Sequence, residues 1–237
     1  MGNAHFQFKA FRIDQDRSAM KVGTDGVLLG AWADIVDAKR ILDVGTGTGL
    51  ISLMCAQRNK DSKIHAIEID ASSAEQANEN VKNSQFADRI SVKNIALQEY
   101  AAAQSYDAII CNPPFFVDGT RSPDLERKQA RHMDSLSVND LLAHSARLVA
   151  KEGSLHLILP IGQEEHVLSE GIAHGWYLKH LTVVHPNHVK PAKRILVSFT
   201  RSNSKETRDS ITIEEEERFD YSVAYRKLTS PFYLRMT

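Results

Sequence analysis

An α/β fold with a mostly parallel sheet and helices on both faces follows from three observations. Short apolar runs alternate with segments of helical period from residue 40 to about residue 176. The runs end in glycine, proline or acidic residues, which turn a chain from strand into loop. No stretch rich in Pro, Gly and Ser divides the 237 residues, and alternating β and α elements put helices on both sides of a parallel sheet. The chain is therefore read as one domain, with an amino-terminal segment at 1–38, a core at 39–201 and an added strand and helix at 202–237.

The elements follow in order. Phe6, Phe8 and Phe11 form an aromatic segment, followed by a short helix before Trp32. Residues 40–44 are an apolar run ending in turn residues, and 50–56 continue at helical spacing, which reads as strand, tight loop, helix. Residues 64–70 form a second strand ending in acids, where Asp70 stands directly before Ala71-Ser72-Ser73 and is a natural helix N-cap. A third strand leads into 92–98, a fourth is the buried-looking run 106–111, and 154–159 alternate clearly as a fifth. Segments 178–184 and 195–200 read as an antiparallel pair. A strand around 211–213 and a helix within 221–229 close the chain, and Trp176, Tyr177 and Phe199 are expected to fill core space.

Composition narrows the class. A hydrophobic share of 42% suffices for a core, and the chain has neither an apolar run long enough to span a bilayer nor a secretory leader. Cys55 and Cys111 both lie inside apolar elements, which supports neither a disulfide scaffold nor cysteine-ligated zinc. His185 and His188 lack a carboxylate or cysteine partner at metal-ligand spacing, so no metal is expected. A reducing cytoplasm fits. The net charge of −1 means that any attraction for nucleic acid must come from local clusters.

The loop Asp43-Val44-Gly45-Thr46-Gly47-Thr48-Gly49 carries the first chemical signal. Its glycines permit positive φ and close approach of a ligand to the backbone, and the free amides of the following helix attract polar or negative groups. A dinucleotide site wants G-x-G-x-x-G, and counting from Gly45 the third glycine position falls on Leu50, which demotes that reading. The remaining D-x-G-x-G-x-G pattern resembles the cofactor loop of class I S-adenosylmethionine-dependent methyltransferases. That resemblance implies a Rossmann-like, mostly parallel seven-stranded sheet with an antiparallel last strand. It places Asp43 near the methionine amino group and Gly45, Gly47 and Gly49 along the methionine tail. Glu68, about twenty residues beyond, stands where an acid closing the second strand accepts from ribose hydroxyls. No acid follows the third strand, so Ala96 and Leu97 are expected to give the adenine apolar contact.

Asn112-Pro113-Pro114-Phe115 sits at the carboxyl end of the fourth strand, where open α/β sheets bind ligands. The prolines lack backbone donors and stiffen the loop, directing carbonyls and the Asn112 amide to one point, beside the cofactor as well as the substrate. An exocyclic adenine amine is a poor nucleophile because its lone pair is delocalised into the ring. Two acceptors, the Asn112 amide oxygen and the Pro113 carbonyl, can bind its two hydrogens and favour a pyramidal nitrogen. Positioning and electrostatics then carry most of the rate. Phe115 can stack on a base taken out of its helix.

Together these motifs resemble the amino-methyltransferases of class I fold. The stretch 21–32, with Phe6, Phe8 and Phe11 before it and Pro231-Phe232-Tyr233-Leu234 at the end, is similar to the tRNA adenine-N6 methyltransferases that modify position 37 of valine tRNA. By that resemblance the segment before the first strand lies against the cofactor, making Lys21 and Thr24 contacts for its methionine end. The competing reading has Asp25 cap a short helix and Lys21 solvated. Two basic clusters are candidates for RNA: Arg121, Arg127, Lys128, Arg131 and His132 after the Asn-Pro-Pro-Phe motif, and His188, Lys190, Lys193 and Arg194 farther on. Arg226-Lys227 form a third, and the acidic run 214–217 is expected to face away from RNA. The function read from the sequence is methylation of N6 of adenine in tRNA, with S-adenosylmethionine as cofactor and adenine 37 of valine tRNA as target. The alternatives are N-methylation of a protein glutamine or a ribosomal guanine, and a non-catalytic module that binds cofactor and RNA.

Overall fold

The computed structural model describes residues 3–18, 20–114 and 136–236. Phe115, Arg121, Arg127, Lys128, Arg131 and His132 lie outside the described residues.

A small antiparallel hairpin of His5–Gln7 (β1) and Arg12–Asp14 (β2) precedes the main sheet. That sheet is built on Arg40–Val44 (β3), with Lys63–Glu68 (β4) and Ile90–Asn94 (β5) to one side and Tyr106–Cys111 (β6) and Val149–Pro160 (β7) to the other, all parallel. Tyr177–His185 (β8) and Arg194–Thr200 (β9) form the expected antiparallel pair, with β9 inserted between β7 and β8. Thr207–Thr212 (β10) then pairs in parallel with β8, so the order is β10-β8-β9-β7-β6-β3-β4-β5. The seven expected strands are present, and the strand foreseen in the extension joins the same sheet as an eighth.

Alternation along each strand sorts side chains into two layers. Ile41, Ile64, Ile110, Ile158 and Leu196 face one side, with Thr24–Trp32 (α1) and Leu50–Arg58 (α2) packed there, and Val81 of Ala71–Lys82 (α3) in the same layer. Leu42, Ile109, Leu157 and Val197 face the other, under Val138–Leu148 (α4) and Glu164–Ala173 (α5). Each such aliphatic side chain contributes ~2 kcal/mol on burial. Trp176 and Phe199 are buried as expected, whereas Tyr177 is 46% exposed, because neighbouring residues of an extended chain face opposite sides and Trp176 takes the inward place. The last helix, Val223–Thr229 (α6), is capped by Ser222 and packs on α1.

Asp70 caps α3 as its position suggested, accepting from Ser73 N at 2.7 Å. Asp25 caps nothing: Gly23 is the N-cap of α1 without a side-chain bond, and Asp25 pairs instead with Arg194.

Candidate active site

Val44 of β3 stands beside Cys111 of β6 in the parallel register. The glycine loop and the Asn-Pro-Pro motif therefore leave adjacent strands at the same end of the sheet.

In the loop, Gly45, Gly47 and Gly49 all have positive φ (68°, 56° and 83°), which allows the chain to wind tightly from β3 into α2. A Cβ at Gly45 would meet no atom within 4 Å, so open space lies over the backbone there. Asp43, 1% exposed, points into the α2 layer. Its Oδ2 accepts from Thr46 Oγ1 (2.6 Å), Ser52 Oγ (2.7 Å) and Ser52 N (3.1 Å). Its Oδ1 is buried with no partner. Burial raises the Asp43 pKa to about 6 against the lowering effect of the Thr46 and Ser52 bonds, and the Glu68 charge adds to the rise. An orphan carboxylate oxygen at such a place suits a cationic N–H donor, which would supply the missing bond and favour the ionised form.

Glu68, ending β4, accepts from Gly47 N at 2.9 Å through Oε2 and from Asp70 N at 3.0 Å through Oε1. The carboxylate is held by two amides, and each oxygen keeps a further lone pair for a hydroxyl pair. Leu97, expected beside the adenine, is 4% exposed and belongs to the core cluster with Leu42, Ile67 and Ile109. Its side chain is spent on packing; Ala96 remains half-buried at the surface.

Asn112 is half-buried, and its Oδ1 is enclosed without a partner. Pro113 is buried and Pro114 exposed. A Cβ on Gly26 of α1 would lie 3.1 Å from Leu50 Cδ2 and 3.9 Å from Asn112 Nδ2, so the first turn of α1 is packed against the motif. Lys21 and Thr24 are exposed just before and at the start of that turn.

The amino-terminal segment is tied to the glycine loop by residues that the sequence reading did not single out. Asn80 of α3 donates through Nδ2 to Thr48 O (2.9 Å) and Asp14 O (2.8 Å) and accepts from Asp14 N (2.9 Å). Gln76 accepts from Arg17 N at 2.8 Å, and Gln15 from Val22 N at 2.8 Å. Ser18 Oγ lies 4.0 Å from where a Gly47 Cβ would be. The one sequence signal was two amide residues four apart on one face of α3, both almost fully buried.

Arg194 opens β9 opposite Pro160, the end of β7, at the same end of the sheet as Asn112. His188, Lys190 and Lys193 are exposed in the preceding loop. The acidic run does not face away from this loop. Backbone bonds from Ile213 N to His185 O and from Glu214 N to Pro186 O lay it alongside, and Glu215 Oε2 is 2.7 Å from His188 Nε2. The bond to Glu215 occupies His188 Nε2 and reduces what His188 can offer a phosphate. Among the described residues no group of three or more His, Cys, Asp or Glu could hold a metal ion, and no helix is long and apolar enough to cross a membrane.

Residues 21–168 match the model of the methyltransferase small domain family. A protein of Phocaeicola vulgatus named tRNA1(Val) (adenine(37)-N6)-methyltransferase is 45% identical over 236 residues, covering all of both chains. A protein of the same name from Aeromonas hydrophila is 43% identical over 99% of each chain. Among solved structures, one described as a predicted O-methyltransferase from Agrobacterium tumefaciens superposes with a TM-score of 0.69 at 20% identity, over 88% of this chain and 96% of that one. The ribosomal protein L11 methylase of Lactobacillus delbrueckii gives a TM-score of 0.57 at 14% identity, over 81% and 84%. At such identities the structures speak for the fold alone.

Proposed function

The chain belongs to the methyltransferase small domain family and to its tRNA1(Val) (adenine(37)-N6)-methyltransferase branch, and on that premise we propose that it methylates N6 of adenine 37 in tRNA1(Val), using S-adenosylmethionine. The observation that carries this reading is the pair of buried, unpartnered oxygens, Asp43 Oδ1 and Asn112 Oδ1, at the heads of two adjacent parallel strands. One awaits the donor of a cationic ligand and the other the amine of a nucleophile.

S-Adenosylmethionine supplies an electrophilic sulfonium methyl when bound. Asp43 holds its ammonium, the backbone of Gly45, Gly47 and Gly49 lines its amino-acid end together with Lys21 and Thr24, and Glu68 accepts from the ribose. Ala96 borders the adenine. Asn112 Oδ1 and the Pro113 carbonyl accept the two N6 hydrogens of the target adenine, turning the nitrogen lone pair out of the ring plane. The nitrogen becomes acidic only as it gains the methyl, so its surplus proton passes to solvent without a strong base, and the residues act by orientation and by acceptors already in place. Pro114 stiffens the loop, and Phe115 offers a ring to the extruded base. Lys190, Lys193 and Arg194 provide phosphate contacts at the mouth, with His188 a weaker one, and Arg121, Lys128 and Arg131 are further candidates for that role. The whole chain acts as one catalytic domain, in the cytoplasm where tRNA is found.

The test is incubation with methyl-labelled S-adenosylmethionine and, in parallel, unmodified tRNA, ribosomal RNA, DNA and cell protein, followed by digestion. Label in N6-methyladenosine at position 37 of tRNA1(Val), lost in Asn112→Ala, supports the proposal. Label in guanosine or glutamine replaces the substrate, and no label with retained cofactor binding replaces catalysis by binding.

A further inference from the structure

Beside the proposed cofactor site, with which it shares Thr24, a cavity of about 460 Å³ opens between the amino-terminal hairpin, the start of α1 and the carboxyl-terminal tail. Phe6, Tyr221 and Tyr233 supply aromatic walls, Arg235 a guanidinium, and Gly23 and Thr24 the edge toward α1. Its size lies within the range of ~300–1,000 Å³ that accommodates small planar ligands.

The chemistry of this lining is selective. Among the described residues that line it there is no carboxylate. The nearest acid by chain pairing, Glu214, which bridges to Tyr221, has its Oε1 turned to the backbone amide of Phe219 at 2.9 Å. Gln7, also on the wall, gives both hydrogens of its amide to the Phe8 and Phe11 carbonyls (2.8 and 3.1 Å), which leaves its carbonyl oxygen as the group available to a ligand. Tyr221 and Tyr233 are half-buried and each held by a neighbouring ring, Tyr221 stacked on Tyr225 at 5.1 Å and Tyr233 on Phe8 at 5.7 Å. Rigid π-faces, an acceptor and an exposed arginine suit a nucleobase and its phosphate.

Position adds a second argument. Thr24 edges the cavity and Gly26, two residues on, packs against Asn112. Two residues are about half a turn of α1, so Thr24 and Gly26 look to opposite sides of the helix, ~3 Å apart along its axis. A strand that delivers one base to Asn112 and passes round the first turn of α1 brings its next nucleotides to the cavity.

We propose that this cavity receives an unstacked base of the RNA strand next to the methylated adenine, stacked on Tyr221 or Tyr233 with its phosphate against Arg235. The proposal rests on the RNA reading of the active site. It makes the tail a reader of the nucleotides around the target.

The test uses the full chain, S-adenosylmethionine and an anticodon stem-loop, in its natural sequence and with a single abasic nucleotide at each position flanking the adenine. Tyr221→Leu and Arg235→Ala are compared with the parent protein; Arg235 is exposed, so its variant folds even if Tyr221→Leu does not. Loss of one base stack is worth about 5- to 150-fold in affinity. The expected result is a KM for RNA raised by that order in Tyr221→Leu, and more modestly in Arg235→Ala, with kcat and cofactor affinity kept. One abasic position raises KM for the parent protein but not further for Tyr221→Leu, the non-additivity of partners in contact. Unchanged KM in both variants, or additive effects at every position, overturns the cavity's role while leaving the active-site reading intact; that is also the result if the cavity serves a protein partner. If the parent protein methylates no RNA, both readings fall.

Discussion

Arg194 Nε donates to Asp25 Oδ2 at 2.8 Å, joining the start of β9 to the first turn of α1 across 169 residues of sequence. Both side chains are about one-third exposed (32% and 29%), and such a pair is worth ~1 kcal/mol or less to stability. Its consequence lies one residue on, at Gly26, which packs against Asn112. Asp25→Ala is expected to lower kcat/KM about tenfold and Arg194→Ala by at least as much, since it also loses a phosphate contact, with the double variant no worse than Arg194→Ala. The melting temperature should fall by no more than about 4 °C. If Arg194 acts only by a phosphate contact, Arg194→Ala alone weakens RNA binding and lowers the salt slope by about 1, and Asp25→Ala leaves both unchanged. Kinetics over a salt series separate the two.

Asn112→Ala tests the acceptor directly. The amide oxygen is enclosed without a partner, so its removal breaks no hydrogen bond and relieves a desolvated group. The variant should melt at or above the parent temperature while kcat falls by about 10²–10³, the usual cost of deleting one pre-aimed polar group. Cofactor and tRNA affinities should change only a few-fold. A large fall in melting temperature would mark Asn112 as structural instead. Calorimetry and single-turnover methylation give the two readouts.

Asp43 gives a pH signature. In the unfolded chain its carboxyl titrates near 3.8, and in the fold, where burial dominates, near 6. Below about pH 4 both states hold the proton. Between about 4 and 6 the unfolded state has released it and the folded state has not, so stability falls as pH rises; above 6 the loss is complete. The shift is worth about 2 kcal/mol between pH 4 and 7. Asp43→Asn should abolish this slope and melt higher than the parent at pH 7 without ligand, yet fail to bind S-adenosylmethionine. In the parent, cofactor affinity should weaken as pH drops below 6, because the carboxyl then carries a proton where it must accept one. Melts and titration calorimetry from pH 5 to 8 check both statements.

The parts of this site that were legible in the sequence share one property: they are local. Asp43, the three glycines, Glu68 and Asn112 are fixed by short spacings within a strand and the loop that follows it, and adjacent strands then bring them together. The closures were not legible. The pairing of Asp25 with Arg194, Asn80 reaching both Thr48 and Asp14, and Glu215 lying beside His188 each depend on where distant segments cross. Periodicity tells which face a residue takes and not what stands opposite it. For the same reason a strand near 211–213 could be expected from pattern, but its parallel pairing with β8 could not. Leu97 faces the core, because a position after a strand can turn inward as readily as toward a ligand.

His156 supplies the opposing pH dependence. It is fully buried on β7, with Nε2 2.8 Å from Ser154 Oγ. Burial lowers its pKa to about 4; the Asp34 carboxylate opposes the shift, and Lys179 and Arg58 reinforce it. Unfolded, the imidazole titrates near 6.5. Above that both states are neutral and the fold keeps its full stability. As pH falls from 6.5 toward 4 only the unfolded chain takes up the proton, so stability is lost, by about 2 kcal/mol at pH 5. Over the same window Asp43 pulls the other way, and the parent protein's profile between pH 4 and 6 should be nearly flat where the two slopes cancel. His156→Gln removes one of them. Its destabilisation relative to the parent, measured by urea unfolding, should be about 2 kcal/mol smaller at pH 5 than at pH 7.5. A difference that stays constant across pH would mean that His156 keeps its ordinary pKa in the fold, in which case the protein should instead lose stability steadily from pH 4 to 6 through Asp43 alone.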